Sequence, residues 1–263
     1  MEIEQLLAPN PGLFTGPGTN TYVLRSGGDV LVVDPGPIEP SHHQAIVDAV
    51  SSSRAVGVLV THSHPDHAPL ANPLGRDLDV PVYGHEPGPA FDPDLLVGDS
   101  DLVSLASEKL TVLHTPGHSG DHICFLAGDV LFTGDHIMGG STVVVENMVD
   151  YLDSLRRLGE LTLSKLYPGH GPVMDNPYDV IDDYISHRLE REEQIVGALR
   201  SGAGTVGAVV EDVYADVDRA LHPLAAYSVA AHLRKLVAED RVAFDGEADE
   251  LWSALVSLLG AST

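Results

Sequence analysis

The chain has 263 residues, 43% of them apolar and 20% charged, with a formal net charge of −25. That length supports one large domain plus a small one, and a single cysteine, Cys124, excludes an internal disulfide. Acids outnumber Lys and Arg on both sides of residue 175, so neither segment carries the cationic excess that neutralises phosphates, which weighs against a long RNA substrate.

The amino terminus, Met1-Glu2-Ile3-Glu4-Gln5, has acids where a signal peptide carries basic residues, and no apolar segment follows. No membrane span is expected, and the reading is cytoplasmic. Short β-branched runs then alternate with loops at 21–24, 30–33, 56–60, 80–83, 110–113, 123–126, 130–132 and 163–167. Cys124 falls inside one of them, as a buried small hydrophobe. Helical spacing of apolar residues appears at 42–50 and 151–158. The Pro-, Gly- and Asp-rich stretch 84–101 reads equally as a loop over a site or as a surface connection.

Five stretches at the ends of apolar runs carry metal-ligand residues. The run 56–60 leads into Thr61-His62-Ser63-His64-Pro65-Asp66-His67, four ligand residues within six positions. The others are Leu31-Val32-Val33-Asp34-Pro35-Gly36, Thr115-Pro116-Gly117-His118, Thr133-Gly134-Asp135 and Tyr167-Pro168-Gly169-His170. A glycine beside a ligand lets the chain turn sharply close to an ion. On extended chain the His62 and His64 side chains point one way, while Asp66 and His67 face a second centre. Neutral imidazole and carboxylate without thiolate favour zinc over iron-sulfur or copper chemistry, and leave iron, manganese and cobalt open. Two such ions about 3.5–4 Å apart can share a water whose pKa falls toward about 7, a nucleophile that needs no Ser or Cys.

These motifs resemble the metallo-β-lactamase superfamily, whose His-x-His-x-Asp-His signature, later His, bridging Asp and last His all have counterparts here. The resemblance implies an αββα sandwich of the α/β class. It implies two divalent metal ions: His62, His64 and His118 on one, Asp66, His67 and His170 on the other, Asp135 bridging, and Asp34 in support. Asp66, His67 and Asp135 are the residues expected closest to the chemistry, and Asp66→Asn is expected to distort the second centre and abolish hydrolysis. Further stretches extend the likeness: Gly18-Thr19-Asn20-Thr21-Tyr22, Gly134-Asp135-His136-Ile137-Met138-Gly139, Asp150-Tyr151-Leu152-Asp153-Ser154-Leu155, and Tyr184-Ile185-Ser186-His187-Arg188 with Arg191-Glu192. They resemble the beta-lactamase-like protein 2 subgroup, which implies an endoribonuclease on single-stranded RNA. A departure follows His67, where Ala68-Pro69-Leu70-Ala71-Asn72 replaces a Gly-rich turn. His122 and His136 lie beside ligands and read as support or as leaving-group acids; His42, His43, His85, His114, His187, His222 and His232 read as structural.

Near Asp175-Asn176-Pro177 the texture changes to long helical spacing, which places a boundary between a catalytic domain, 1–175, and a helical module, 176–263. A long helix, then helices at 206–214 and 224–237, a strand at 241–244 and a turn outline a winged helix. His232, Arg234, Lys235 and Arg241 are its local basic group, but its acidity favours packing or a homodimer over readout of nucleic acid. The last stretch, 247–260 around Trp252, is expected to be a packed helix. Two further activities remain open. Thr115-Pro116-Gly117-His118-Ser119 also resembles hydroxyacylglutathione hydrolases, which implies a small ester or thioester substrate, and a metal-containing DNA-binding regulator is the reading outside enzymes.

Overall fold

A computed structural model describes residues 1–140, 142–246 and 248–259. In chain order its elements are β1 Glu2–Leu7, β2 Asn20–Ser26, β3 Asp29–Val33, α1 Pro40–Val50, β4 Arg54–Leu59, α2 Ala71–Leu78, β5 Val82–Gly84, β6 Leu95–Leu96 and β7 Leu102–Leu105. There follow β8 Glu108–His114, β9 Ile123–Ala127, β10 Val130–Gly134, α3 Met148–Gly159, β11 Lys165–Pro168, α4 Pro177–Arg200, α5 Val206–Val213, α6 His222–Ala238, β12 Val242–Asp245 and β13 Leu255–Leu258.

Alternation of side chains along β2, β3, β8, β9 and β10 gives each sheet two apolar faces, so each must be covered twice. The first sheet runs β1-β2-β3-β4-β5-β6 and the second β11-β10-β9-β8-β7. Between them lie Tyr22, Leu24, Leu31, Leu59, Leu110, Val112, Phe125 and Phe132. The outer face of the first sheet presents Val23, Val32, Val58 and Val60, covered by Ile46 and Val50 of α1 and Leu74 of α2. Leu113, Cys124 and Leu131 of the second are covered by Tyr151, Leu152, Leu155 and Leu158 of α3 and Ile181 of α4. The result is the αββα order. Burial pushes the Cys124 thiol up to about 12, which leaves it an inert hydrophobe.

Strand direction positions the site. β3 and β4 are parallel, β10 and β11 are parallel, and β8 runs with β10 because both are antiparallel to β9. Five strands therefore end at one edge of the sandwich, where the loops carrying Asp34, His62, His118, Asp135 and His170 begin.

α4 starts at Pro177, whose fixed φ suits the first helical turn, and joins two cores. Its first half packs Ile181, Tyr184 and Ile185 against α3, and its second half packs Ile195, Val196 and Leu199 against α5 and α6. The stretch expected as a terminal helix is corrected. After a 3-10 turn at Ala248–Ser253, β13 pairs antiparallel with β12, Val242 opposite Leu258 and Asp245 opposite Leu255. Leu255 is exposed and Val256 buried, a period of two that overrides the helical reading; positions 247 and 260 of that stretch lie outside the described residues. No helix among the described residues is long and apolar enough to cross a membrane.

The module's basic group is mostly spent internally. Lys235 pairs with Glu192 at 2.7 Å and Glu239 at 2.6 Å, and Arg241 with Glu192 at 2.6 Å. His232 is 0% exposed, and neither ring nitrogen finds a hydrogen-bond partner among the described residues. Burial, with Arg188 and Lys235 nearby, pushes its imidazole down to about 3. Folding must therefore expel a proton whenever the unfolded chain holds one, so His232 costs stability as pH falls below its unfolded value of about 6.5. His232→Phe is expected to flatten the acid-side decline by roughly 1 kcal/mol per pH unit between about pH 6.5 and 4, measured by urea unfolding at stepped pH.

Candidate metal centre

The loop after β4 folds on itself: His67 N–H and Ala68 N–H both donate to His64 O, at 3.0 and 3.1 Å. This turn brings His62, His64, Asp66 and His67 round one point. The departure at Ala68-Pro69-Leu70 keeps the loop in place, because Gly36 N–H donates to His67 O and Leu70 N–H to Gly36 O. Asp121 takes Ser63 N–H at 2.8 Å and Ser119 Oγ at 2.6 Å, tying this loop to the one that carries His118. The 84–101 stretch leans on the same loop, Gly88 lying so close to Ser63 that a Cβ there would fall 2.3 Å from it, and does not line the cleft described below.

The seven expected ligands gather in two groups, His62, His64 and His118 in one, Asp66, His67, Asp135 and His170 in the other, with ligand atoms within 4.8 Å inside each. In the first, His62 Nε2 lies 2.9 Å and His118 Nε2 3.0 Å from His64 Nδ1. In the second, His67 Nε2 lies 3.2 Å from His170 Nε2, and His170 Nε2 lies 3.0 Å from Asp66 Oδ2. Asp135 reaches both: Oδ1 is 3.3 Å from His67 Nε2, and Oδ2 is 3.3 Å from His170 Nε2 and 3.9 Å from His118 Nε2. A tetrahedral ion with ligands at about 2.0–2.1 Å has edges of roughly 3.4 Å, so these spacings fit a metal ion in each group. Asp135 Oδ1 is also buried without a hydrogen-bond partner, a lone pair with no proton to accept.

Outer contacts fix the rings. His62 Nδ1 donates to Thr61 Oγ1 at 3.0 Å, His67 Nδ1 to Asp34 Oδ2 at 3.0 Å, His118 Nδ1 to Val144 O at 2.7 Å and His170 Nδ1 to Gly18 O at 3.1 Å. With a metal bound, each such bond would leave the opposite nitrogen free of its proton toward the centre. Asp34 takes Thr61 N–H and Oγ1–H as well, at 2.8 and 2.7 Å, and holds a φ of 48°, a left-handed conformation that only this web of bonds sustains. Gly169 is required by space, since a Cβ there would fall 2.5 Å from Asp135 Oδ1 and 2.6 Å from His67.

His122 is a positioning residue. It accepts Asp135 N–H at Nε2, 3.2 Å, and donates from Nδ1 to Thr115 Oγ1, 2.9 Å. His136 is fully buried and pushed down to about 3 by burial. Neither is among the residues that line the cleft. Among the residues read as structural, His42 is buried against Thr21 Oγ1 at 2.8 Å. Asp121, Gly18 O and Val144 O were not legible as site residues; a carboxylate two positions after Ser119 was the one available signal.

Beside the centre lies a cleft of about 840 Å³. His64, Asp66, His118 and Asp135 form its floor, and Leu13, Phe14, Val144, Leu221 and Leu224 are its chief apolar walls. No Lys or Arg is among its described lining residues.

A sandwich with two imidazole and carboxylate groups at the carboxyl ends of its strands defines a metal-dependent hydrolase. The chain belongs to the metallo-beta-lactamase superfamily, whose family model matches residues 14–170, and the model of the beta-lactamase associated winged helix domain matches 205–252. It is similar to the beta-lactamase-like protein 2 homolog of Caenorhabditis elegans, 34% identical over 89% of this chain and 83% of the relative. It is also similar to the atrochrysone carboxyl ACP thioesterase of Aspergillus chevalieri, 32% identical over 92% of this chain and 83% of the relative. A metallo-beta-lactamase family protein from Thermus thermophilus shares the fold with a TM-score of 0.78 at 22% identity, covering 97% of this chain and 98% of that one.

The two groups differ in charge. Burial, with the neighbouring imidazoles, holds His62 well below its ordinary range, and burial lowers His118 too. At the second group burial also opposes charge, but Asp135 and Asp34 outweigh it and hold His67 well above that range, while Asp135 and Asp66 raise His170 to about 9. A metal at the first group meets His62 and His118 as neutral imidazoles; a metal at the second displaces protons. Because the His170 proton competes below about 9, affinity at the second group is expected to rise with pH through that range, by as much as about tenfold per unit per proton released. Titration calorimetry in two buffers of different ionisation enthalpy is expected to count the protons released with the second equivalent and few with the first.

Proposed function

We propose that this protein hydrolyses acyl thioesters bearing an apolar acyl group, with a pair of zinc ions as its cofactor. The apolar, cation-free cleft above the ligand groups carries that reading. Leu13 and Phe14 are 68% and 56% exposed at its mouth, apolar surface that a bound acyl group would cover. The thioesterase named among the relatives supports the same substrate class. Single-stranded RNA is the competing substrate, favoured by the likeness to beta-lactamase-like protein 2 homologs. Against it stand the net charge of −25 and a lining that offers phosphates no Lys or Arg.

His62, His64 and His118 would hold one ion, Asp66, His67 and His170 the other, and Asp135 would lie between them. The donor set, five His and two Asp without Cys, suits zinc. Bound there, the ions would supply a water activated near neutral pH and polarise the acyl carbonyl. Asp66 and Asp135 on the floor, with His67 buried behind them, would hold the ions against which the reacting groups are oriented, while the apolar walls exclude water from around the acyl chain. Residues 1–175 would be the catalytic unit. The module 176–263 would act by walling the cleft through Leu221 and Leu224. Duplex DNA is a poor partner for it, since Arg234 alone of His232, Arg234 and Lys235 on α6 is exposed.

The experiment sets purified protein against glutathione thioesters of increasing acyl length and an end-labelled single-stranded RNA, each beside Asp66→Asn prepared identically. Thiol release with kcat/KM rising with acyl size is expected, at least about 100-fold lower in the variant, with RNA left intact. RNA cleavage by the parent alone, with no thiol release, would overturn the thioester reading in favour of the ribonuclease.

A further inference from the structure

The segment Tyr184-Ile185-Ser186-His187-Arg188 lies on α4, outside the ligand loops and in the first half of that helix. Its contacts converge on the loop between β10 and α3, which also reaches three of the metal-ligand positions. That loop begins at Asp135, donates Gly139 N–H to His170 O at 2.9 Å and accepts His118 Nδ1–H at Val144 O. It is joined to the His118 turn by Glu146 N–H and Asn147 N–H, which both donate to Gly117 O, at 2.8 and 3.1 Å.

From the other side α4 grips the same loop. Arg188, only 4% exposed, donates Nη2–H to Val143 O at 2.7 Å and Thr142 Oγ1 at 3.3 Å, and its guanidinium lies 5.4 Å from the centre of the Tyr151 ring. The carbonyls of Val143 and Val144 are consecutive. One is held by Arg188 and the next by the imidazole of His118, so only the two backbone torsions of Val144 separate the anchored carbonyl from the one that holds the ring.

We infer that Arg188 is a positioning residue for the first metal centre: by fixing the Val143 carbonyl it orients the Val144 carbonyl, and through it the ring of His118. The ligand atoms of Asp66, His67 and His170 take their orientation from Asp34, Gly18 and one another, so Arg188 acts on one centre and not on both. The inference concerns metal binding and is independent of which substrate the cleft accepts.

The test uses the full chain as Arg188→Met and Arg188→Lys, loaded with Zn2+ or Co2+, with bound metal counted after dialysis against graded chelator. His118→Asn gives the one-metal reference. The parent is expected to retain two equivalents where Arg188→Met retains one, its first centre weakened roughly 10- to 100-fold, with the Co2+ spectrum approaching that of His118→Asn. Arg188→Lys is expected between them, because Lys can donate to Val143 O but lacks the planar fork. Retention of both equivalents at parental affinity by Arg188→Met would overturn the inference. So would parallel loss of both with a large fall in the metal-free melting temperature, which would mark a general structural role. If Arg188→Met does not fold, Arg188→Lys decides: one weakened centre supports the inference, and two at parental affinity overturn it.

Discussion

Seven groups whose lone pairs face one another within a few ångströms repel unless a cation or proton lies among them, and this convergence is what the rest of the structure has to sustain. The sandwich does so by ending β3, β4, β8, β10 and β11 at one edge, so that five short loops start from rigid anchors. Outer hydrogen bonds then remove the remaining freedom. Asp34 is the clearest case: a backbone conformation that costs energy is kept because its carboxylate binds Thr61 twice and His67 once. Protons and metal compete for the second group because its carboxylates favour any positive charge, while in the first, imidazole-only group His62 and His118 resist protonation through burial.

The sandwich was legible in sequence where runs were long and buried on both sides. β3, β4, β8 and β9 announce themselves by β-branched residues, and the ligand clusters by their position behind such runs. β1 is an edge strand with no buried residue, β6 has two residues, and α2 contains Pro73 and Gly75, so local composition argued against each. The wing reads as a helix in sequence because Trp252, Leu255, Val256 and Leu259 satisfy a helical spacing, and only pairing with β12 shows the chain there to be extended. Within the site, side chains could be nominated from sequence. The carbonyls of Gly18 and Val144 could not, since any residue supplies a carbonyl and only the fold brings one to a histidine.

Acidity has a local explanation as well as a global one. Lys235, Arg241 and Glu192 neutralise one another at the joint between α4 and α6, and Arg188 is turned inward to backbone carbonyls. These three cations work as internal fasteners, while Arg234 stays exposed on α6. Lys235 and Arg188 are withheld from the surface, where a polyanion would need them.

The cleft draws its floor and its walls from distant parts of the chain. Every ligand precedes residue 171, whereas Leu221 and Leu224 arrive after a helix of 24 residues has carried the chain away and a second core has returned it. Reactivity and selectivity are thereby inherited separately. Drift in the appended helices can reshape what enters the cleft while the ion-holding loops stay unchanged, so descendants of one such chain can diverge in diet before they diverge in chemistry.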